Sequence, residues 1–300
     1  LQEVSANAGH ALASLQTFLA SEKDWVFGHL GYDLKNELET LGSSHADGIG
    51  FPDLFFFIPK VVAQLTPDAL IIGVTDGSHE TVYNEIASAA PSIPESSAAG
   101  AAIRAGFSER EYILTVERIK QHILKGDCYE INFCQEFYAE KAVIHPLKVY
   151  GSLSRSSPNP FSAYYQLRDK YLLCMSPERF LSRSGNTILS QPIKGTSRRD
   201  REDETLDALH KNNLQTSEKE RSENIMVVDL VRNDLSRICK KGTVKVDELC
   251  GIYSFPQVHQ MISTVSGELE ENTSFGDIVK ATFPMGSMTG APKKRVMQLI

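Results

Sequence analysis

A four-residue turn signal, Ser184-Gly185-Asn186-Thr187, sits between two alternating, strand-like segments and predicts a β-hairpin. One arm carries Met175-Ser176-Pro177-Glu178-Arg179-Phe180. The other leads into Gln191-Pro192-Ile193-Lys194-Gly195-Thr196. Positions 178 and 194 are symmetric about residue 186, inside the turn. A simple hairpin therefore sets Glu178 and Lys194 opposite one another or one residue off. Directly opposed Cβ atoms lie roughly 4.5–5.5 Å apart. Such a pair has two readings. It is an exposed cross-strand ion pair, or it is a nucleophilic amine beside a general acid.

Further strands are predicted at Tyr129–Tyr138, Tyr164–Leu167 and Tyr171–Arg183. Ala69–Val74 reads as a buried strand closed by the turn Asp76-Gly77. Residues 90–106, rich in Ala, Ser, Pro and Gly, read as a surface linker or loop. A helix then starts at Ser108, with Glu111 completing a capping box. Tyr112, Val116, Ile119 and Ile123 form its apolar face, and Gly126 ends it. A second long helix is predicted from about Glu218 to Cys239, with Gly242 beyond its end. Strands with a few long helices indicate α+β. The linker suggests an N-terminal subdomain over 1–104 and a second domain over 105–300.

Composition narrows the function. The chain of 300 residues is 41% hydrophobic and 23% charged, an ordinary globular profile. A formal charge of −7 lacks the basic excess of a general nucleic-acid binder. The longest apolar run, Leu54–Ile58, stops at Pro59-Lys60, too short for a membrane span. No secretory signal pattern opens the chain. Five cysteines with no C-x-x-C pair fit a reducing compartment, so a cytoplasmic location is expected.

The second helix is apolar almost all round in its middle, which predicts burial. Glu220 and Glu223, at i and i+3, share one face at its start. They suit a hard cation such as Mg²⁺, which takes one or two carboxylates plus waters and substrate oxygens. A solvated first turn explains them equally well. Asp229, Arg232, Asn233 and Asp234 read as a buried polar network that fixes the helix. Phe283–Lys294 is a glycine-rich loop entering a helix, with Pro292 suited to the first helical turn. Its free N–H groups would make an anion site. His259 stands alone in an apolar strand and reads first as a hydrogen-bonded core residue. There is no P-loop, no dinucleotide fingerprint, no G-x-S-x-G elbow and no glutaminase-type G-x-C-x-G.

Taken in order, six segments resemble the chorismate-utilising enzymes, the family of anthranilate synthase component I, aminodeoxychorismate synthase component I, isochorismate synthase and salicylate synthase. They are Gly126-Asp127-Cys128-Tyr129-Glu130-Ile131-Asn132-Phe133, Ser176-Pro177-Glu178-Arg179-Phe180, Pro192-Ile193-Lys194-Gly195-Thr196, Ser222-Glu223-Asn224 through Asp234, Val258-His259 to Gly267-Glu268-Leu269, and Phe283 to Lys293. Residues 1–90 match loosely, chiefly through Gly28-His29-Leu30-Gly31-Tyr32-Asp33. The resemblance implies an α+β fold with a large antiparallel β-sandwich core flanked by helices. It also implies that part of the pattern, including a second pair of metal carboxylates, falls beyond Ile300.

Lysine at 194 resembles the aminodeoxychorismate branch, whereas the anthranilate branch carries alanine. Isochorismate-forming relatives place a lysine where this chain has Glu130, and aminating members usually a glutamine, so Glu130 departs from both. The resemblance implies that Lys194 attacks chorismate at C2 while Glu178 protonates the departing C4 hydroxyl. His259 would hydrogen-bond that oxygen. Gly195, Thr196, Ser287, Thr289 and Gly290 would bind substrate, and Glu220 and Glu223 would hold Mg²⁺. Ammonia would come from a partner glutamine amidotransferase subunit, and the product would lead to 4-aminobenzoate and folate. Anthranilate synthase component I, or a catalytically silent carboxylate-binding protein on the same scaffold, are the rival expectations.

Overall fold

The computed structural model describes residues 2–21, 23–90 and 101–300. The chain divides into two units, Leu1–Glu95 and Ser96–Ile300. In the first, β1 (Gln2–Ala6), α1 (Ala11–Ser21), β2 (Phe27–Leu30), α2 (Lys35–Leu38) and β3 (Leu54–Ile58) form a three-stranded antiparallel sheet with helices. Leu12, Leu15, Leu34, Leu54 and Phe55 are buried in it. The Glu37 carboxylate accepts from the N–H groups of Gly9, Ala11 and Leu12 at 2.7–3.0 Å, satisfying donors that the start of α1 leaves open. At Gly28 a Cβ would lie 2.0 Å from the Phe55 carbonyl oxygen, so β2 and β3 can pair there only through glycine.

β4 (Val61–Leu65) and β5 (Leu70–Val74) form a two-stranded ribbon, followed by α3 (His79–Ser88). The strand expected at Ala69–Val74 exists but is not buried, and Ile71 is 55% exposed. A lone two-stranded ribbon covers neither of its faces by itself.

The second unit runs through β6 (Arg104–Ala105), α4 (Glu109–Leu124), β7 (Glu130–Ile131), β8 (Phe137–Tyr138), α5 (Pro146–Ser156), β9 (Phe161–Leu167) and β10 (Lys170–Ser176). It continues with β11 (Arg179–Ser184), β12 (Thr187–Gln191), β13 (Ile193–Arg198), α6 (Glu204–Thr216), α7 (Glu218–Ser236), β14 (Lys245–Ser254) and β15 (Val258–Glu268). It closes with α8 (Phe275–Thr282), α9 (Gly286–Thr289), β16 (Gly290–Ala291) and α10 (Lys293–Leu299). The architecture is α+β. Of the stretch read as a linker, residues 91–100 lie outside the described residues, while Arg104–Ala105 pair with Phe137–Tyr138. Tyr129–Tyr138 is not one strand but two short pieces, β7 and β8.

β15 is the middle of a five-stranded antiparallel sheet, with β12 and β13 along one edge and β14 along the other. The predicted turn is present, with Gly185 at φ +58°, joining β11 to β12. β12, however, ends at Gln191. Lys194 belongs to β13, which pairs with β15 and not with β11. Glu178 and Lys194 are therefore not hairpin partners. Pro192 has no N–H to continue a ladder; the pairing with β11 ends before it, while the pairing with β15 resumes in β13.

The capping box at Ser108 and Glu111 forms as expected, and Tyr112 stacks on Phe133 with centroids 5.2 Å apart. α7 departs from expectation. It is amphipathic: Asn224, Val227, Val228, Val231, Asp234 and Leu235 are buried, while Asp229, Arg232 and Asn233 are exposed. Its apolar stripe meets Ile188, Val265, Leu269 and Ile278. Each such Val, Leu or Ile contributes roughly 1.5–3 kcal/mol by leaving water. The four-residue polar network reduces to Asp234, because Arg232 pairs only with exposed Asp229, at 2.8 Å. No helix among the described residues is long and apolar enough to cross a membrane.

Candidate active site

Lys194 extends from β13 to residues that arrive from far along the chain. Its Nζ forms an ion pair with Glu130 of β7 and donates to Asn132 Oδ1 at 3.0 Å. Asn132 in turn donates through Nδ2 to the Ser287 carbonyl oxygen at 2.8 Å and through its backbone N–H to the Thr289 carbonyl at 2.9 Å. The side chains of Lys194 and Glu130 are each 14% exposed. Glu130 Oε2 is buried with no hydrogen-bond partner among the described residues.

Glu178 comes to the same place by another route. Its Oε1 accepts from Ser287 Oγ at 2.7 Å and from the Ile193 N–H at 3.0 Å. Burial holds its pKa above the ordinary carboxylate range. The Ser287 hydroxyl, the Ile193 N–H and the nearby Lys194 charge oppose that rise without cancelling it. A carboxyl group buried in this way suits proton donation. The hydrogen bond to the Ile193 N–H places the carboxyl one residue from the lysine.

The glycine-rich loop supplies the frame for this cluster. β16 pairs with β7, setting Ala291 against Glu130. Gly290 has φ +138°, and a Cβ there would fall 2.1 Å from the Glu130 carbonyl oxygen. Its N–H is engaged by the Gly286 carbonyl, and the Thr289 hydroxyl by the carbonyls of Met285 and Gly286. The Gly290 N–H and the Thr289 hydroxyl are thus already engaged within the loop. Pro292 precedes the first turn of α10 instead of lying in it. Lys293 anchors the loop to α7, donating to Asp234 at 2.7 Å and to the carbonyls of Thr282 and Pro284. Losing either partner of a pair this buried costs about 3–5 kcal/mol.

Glu220 and Glu223 lie on one face of α7, as expected, and share a cation: Lys219 Nζ is 3.3 Å from Glu220 and 3.4 Å from Glu223. Among the described residues no cluster of three or more His, Cys, Asp or Glu side chains forms a metal site. Two carboxylates that already share one cation fit an ion such as Mg²⁺, which completes its shell with waters and substrate oxygens. Gly195, at φ +92°, brings the lysine strand against this pair. A Cβ there would stand 3.2 Å from Glu220 Oε2. Thr196 is exposed.

His259 is 1% exposed and stands apart from this cluster in its bonding. Its Nδ1 meets Ser254 Oγ at 2.9 Å and its Nε2 meets Asp207 Oδ1 at 3.1 Å. Both ring nitrogens are occupied, the hydrogen-bonded core state that the sequence suggested first. Asp207 itself is held down to about 2, chiefly by hydrogen bonds from Arg199.

A family model described as chorismate binding enzyme matches residues 2–300. The chain belongs to this family. It is 32% identical over 292 residues to aminodeoxychorismate synthase component 1 of Bacillus subtilis, covering 92% of this chain and 61% of that protein. It is 35% identical over 278 residues to the protein of the same name from Klebsiella aerogenes, with the same coverages. Anthranilate synthase component 1 of Thermus thermophilus is 32% identical over 285 residues, covering 92% and 61%. Among solved structures, anthranilate synthase component I from Streptococcus pneumoniae superposes with a TM-score of 0.84 at 26% identity, covering 99% of this chain and 74% of that one. The chain spans about 61% of the length of the curated relatives it matches.

Two residues that hold this cluster together were not singled out from the sequence. Asn132 holds the amine, and Asn224 holds the lysine strand by donating to the carbonyls of Lys194 and Met261 at 3.3 and 3.2 Å. Asn224 follows Glu220 by four residues and precedes Val227 and Val231 on the same stripe, so helical spacing marked it as buried. Asn132 carried no such signal, because its partners lie 62 and 155 residues away.

Proposed function

We propose that this chain is the chorismate-binding portion of an aminodeoxychorismate synthase component I, converting chorismate and ammonia to 4-amino-4-deoxychorismate. The observation that carries the reading is a largely buried lysine amine next to a raised-pKa carboxyl group, which accepts from the backbone N–H of the residue before that lysine. Lys194 Nζ bonds to C2 as the C4–O bond breaks, and the Glu178 proton leaves with that oxygen as water. Ammonia then adds at C4 and the lysine departs from C2. Glu220 and Glu223 would hold a Mg²⁺ ion, which supplies neutralising charge for one substrate carboxylate. Ser287 orients Glu178, and Gly195 lets the nucleophile strand approach Glu220. His259, with both nitrogens engaged, acts through packing and through its link to Asp207. The ammonia would come from a separate glutamine amidotransferase subunit, in the cytoplasm, and the product would serve 4-aminobenzoate and folate synthesis.

The test uses the full-length protein with chorismate, ammonium and Mg²⁺, with the product identified by mass. Formation of 4-amino-4-deoxychorismate, together with a covalent adduct lost in Lys194→Ala, is expected. Anthranilate as the product, or an adduct that survives Lys194→Ala, would refute the assignment.

A further inference from the structure

We propose that Glu130 is the base that takes the proton from Lys194, converting the ammonium to the amine that attacks. The proposal rests on the reading of Lys194 as nucleophile. An ammonium has no lone pair, so one proton must leave Nζ before a C–N bond can form. Among the described residues, two side chains are bonded to Nζ, Glu130 and Asn132. Asn132 is not basic, and its orientation is fixed: Nδ2 donates to the Ser287 carbonyl, so only Oδ1 can face the amine. Glu178 acts on Lys194 only through its charge. Its Oε1 already accepts two hydrogen bonds, and the reaction needs it protonated. Glu220 of α7 packs against Gly195 and carries no bond to Nζ. Glu130 alone is basic, in contact and uncommitted elsewhere.

Glu130 presents two oxygens of different engagement. One oxygen holds Lys194, while the other is buried without a donor, a costly state for an ionised carboxylate. Transfer turns a poorly satisfied ion pair into a neutral amine and a carboxylic acid. Loss of water as substrate enters favours that neutral pair over the charged one. The backbone keeps the distance short, since β7 is clamped to β16 through Gly290, where no side chain fits. The balance is simple: the N–H bond breaks, an O–H bond forms on Glu130, and the freed pair on Nζ makes the bond to carbon. Two carboxyl groups then divide the work, one receiving the lysine proton and the other protonating the leaving oxygen.

The experiment follows adduct formation by rapid quench and mass measurement in the full-length protein. It compares wild type, Glu130→Gln and Glu130→Asp with chorismate and Mg²⁺, from about pH 6 to about pH 10. Glu130→Gln keeps the shape and loses the base. Its adduct rate should fall 10²–10⁴-fold near neutral pH and climb about tenfold per pH unit as hydroxide replaces the base. Glu130→Asp should be slower than wild type but keep the wild-type pH profile. A Glu130→Gln rate within about threefold of wild type, or one lowered equally at every pH, would overturn the proposal. If Glu130→Gln does not fold, a hydroxide-dependent profile in Glu130→Asp would overturn it instead. An adduct persisting in Lys194→Ala would remove the nucleophile reading itself, a separate failure.

Discussion

Asn224→Ala is expected to unfold the chain more readily than any loss of apolar contact at that site would suggest. The side chain is fully buried. It donates to the carbonyls of Lys194 and Met261 and accepts from the Ser263 hydroxyl, so one amide joins α7, β13 and β15. Truncation leaves the two carbonyls and the Ser263 hydroxyl short of a partner, at about 1–3 kcal/mol each when fully orphaned, along with the weaker Cys250 thiol donor. The Ser263 oxygen still accepts from the Cys250 N–H at 2.8 Å, and each carbonyl has a second lone pair, so the lower part of that range applies. A total near 2–4 kcal/mol corresponds to a melting temperature lower by roughly 4–16 °C for a domain of this size. Urea unfolding should show a shifted midpoint at an unchanged slope. Asn224→Asp provides the control. It is isosteric but sets a buried carboxyl against two carbonyl oxygens, so burial raises its pKa. The folded acid then binds its proton more tightly than the unfolded one. Its extra destabilisation is absent below about pH 4 and grows as pH rises. A loss below about 1 kcal/mol in Asn224→Ala, or no pH dependence in Asn224→Asp, would refute the claim that this amide fastens β13, the strand of Lys194.

Glu178→Gln should abolish adduct formation yet raise neutral-pH stability. The folded pKa of Glu178 lies above its usual 4.5, so ionising it disfavours folding as pH rises through that window; the thermal-melt difference from wild type should vanish below about pH 4.5. Gly195→Ala combines a left-handed φ of +92° with contacts of 3.2 Å to Glu220 and Leu214. A loss of about 1–3 kcal/mol in urea unfolding is expected, together with a weaker Mg²⁺ dependence of adduct formation; an unaltered Mg²⁺ titration would count against the coupling of β13 to α7.

Local rules made much of this fold legible. The Ser108 capping box, the Gly185-Asn186 turn and the shared face of Glu220 and Glu223 all depend on neighbours within four residues. The burial of α7 was overestimated because Ile225 and Leu230 read as core, while tertiary packing used only one stripe of the helix. The hairpin arithmetic failed at one residue, Pro192, after which β13 pairs with β15. Glu178 still reached Lys194, through a backbone N–H and a serine from the distant loop. The role of Glu130 was out of reach because its ion pair depends on where β16 lays β7 down, and no local pattern encodes that.

The clamp between β7 and β16 also bears on how the protein folds. Asn132 meets Ser287 across 155 residues, Glu178 meets Ser287 across 109, and Lys194 meets Asn132 across 62. Contacts this distant carry their loop-closure entropy before they return any energy, so they form late and slowly. Until the segment around Ser287 docks, Glu130, Lys194 and Glu178 remain in water as ordinary charges. The assembly of the site is therefore a property of the last folding step, and a chain caught short of that step has a sheet but no Lys194–Glu130 pair.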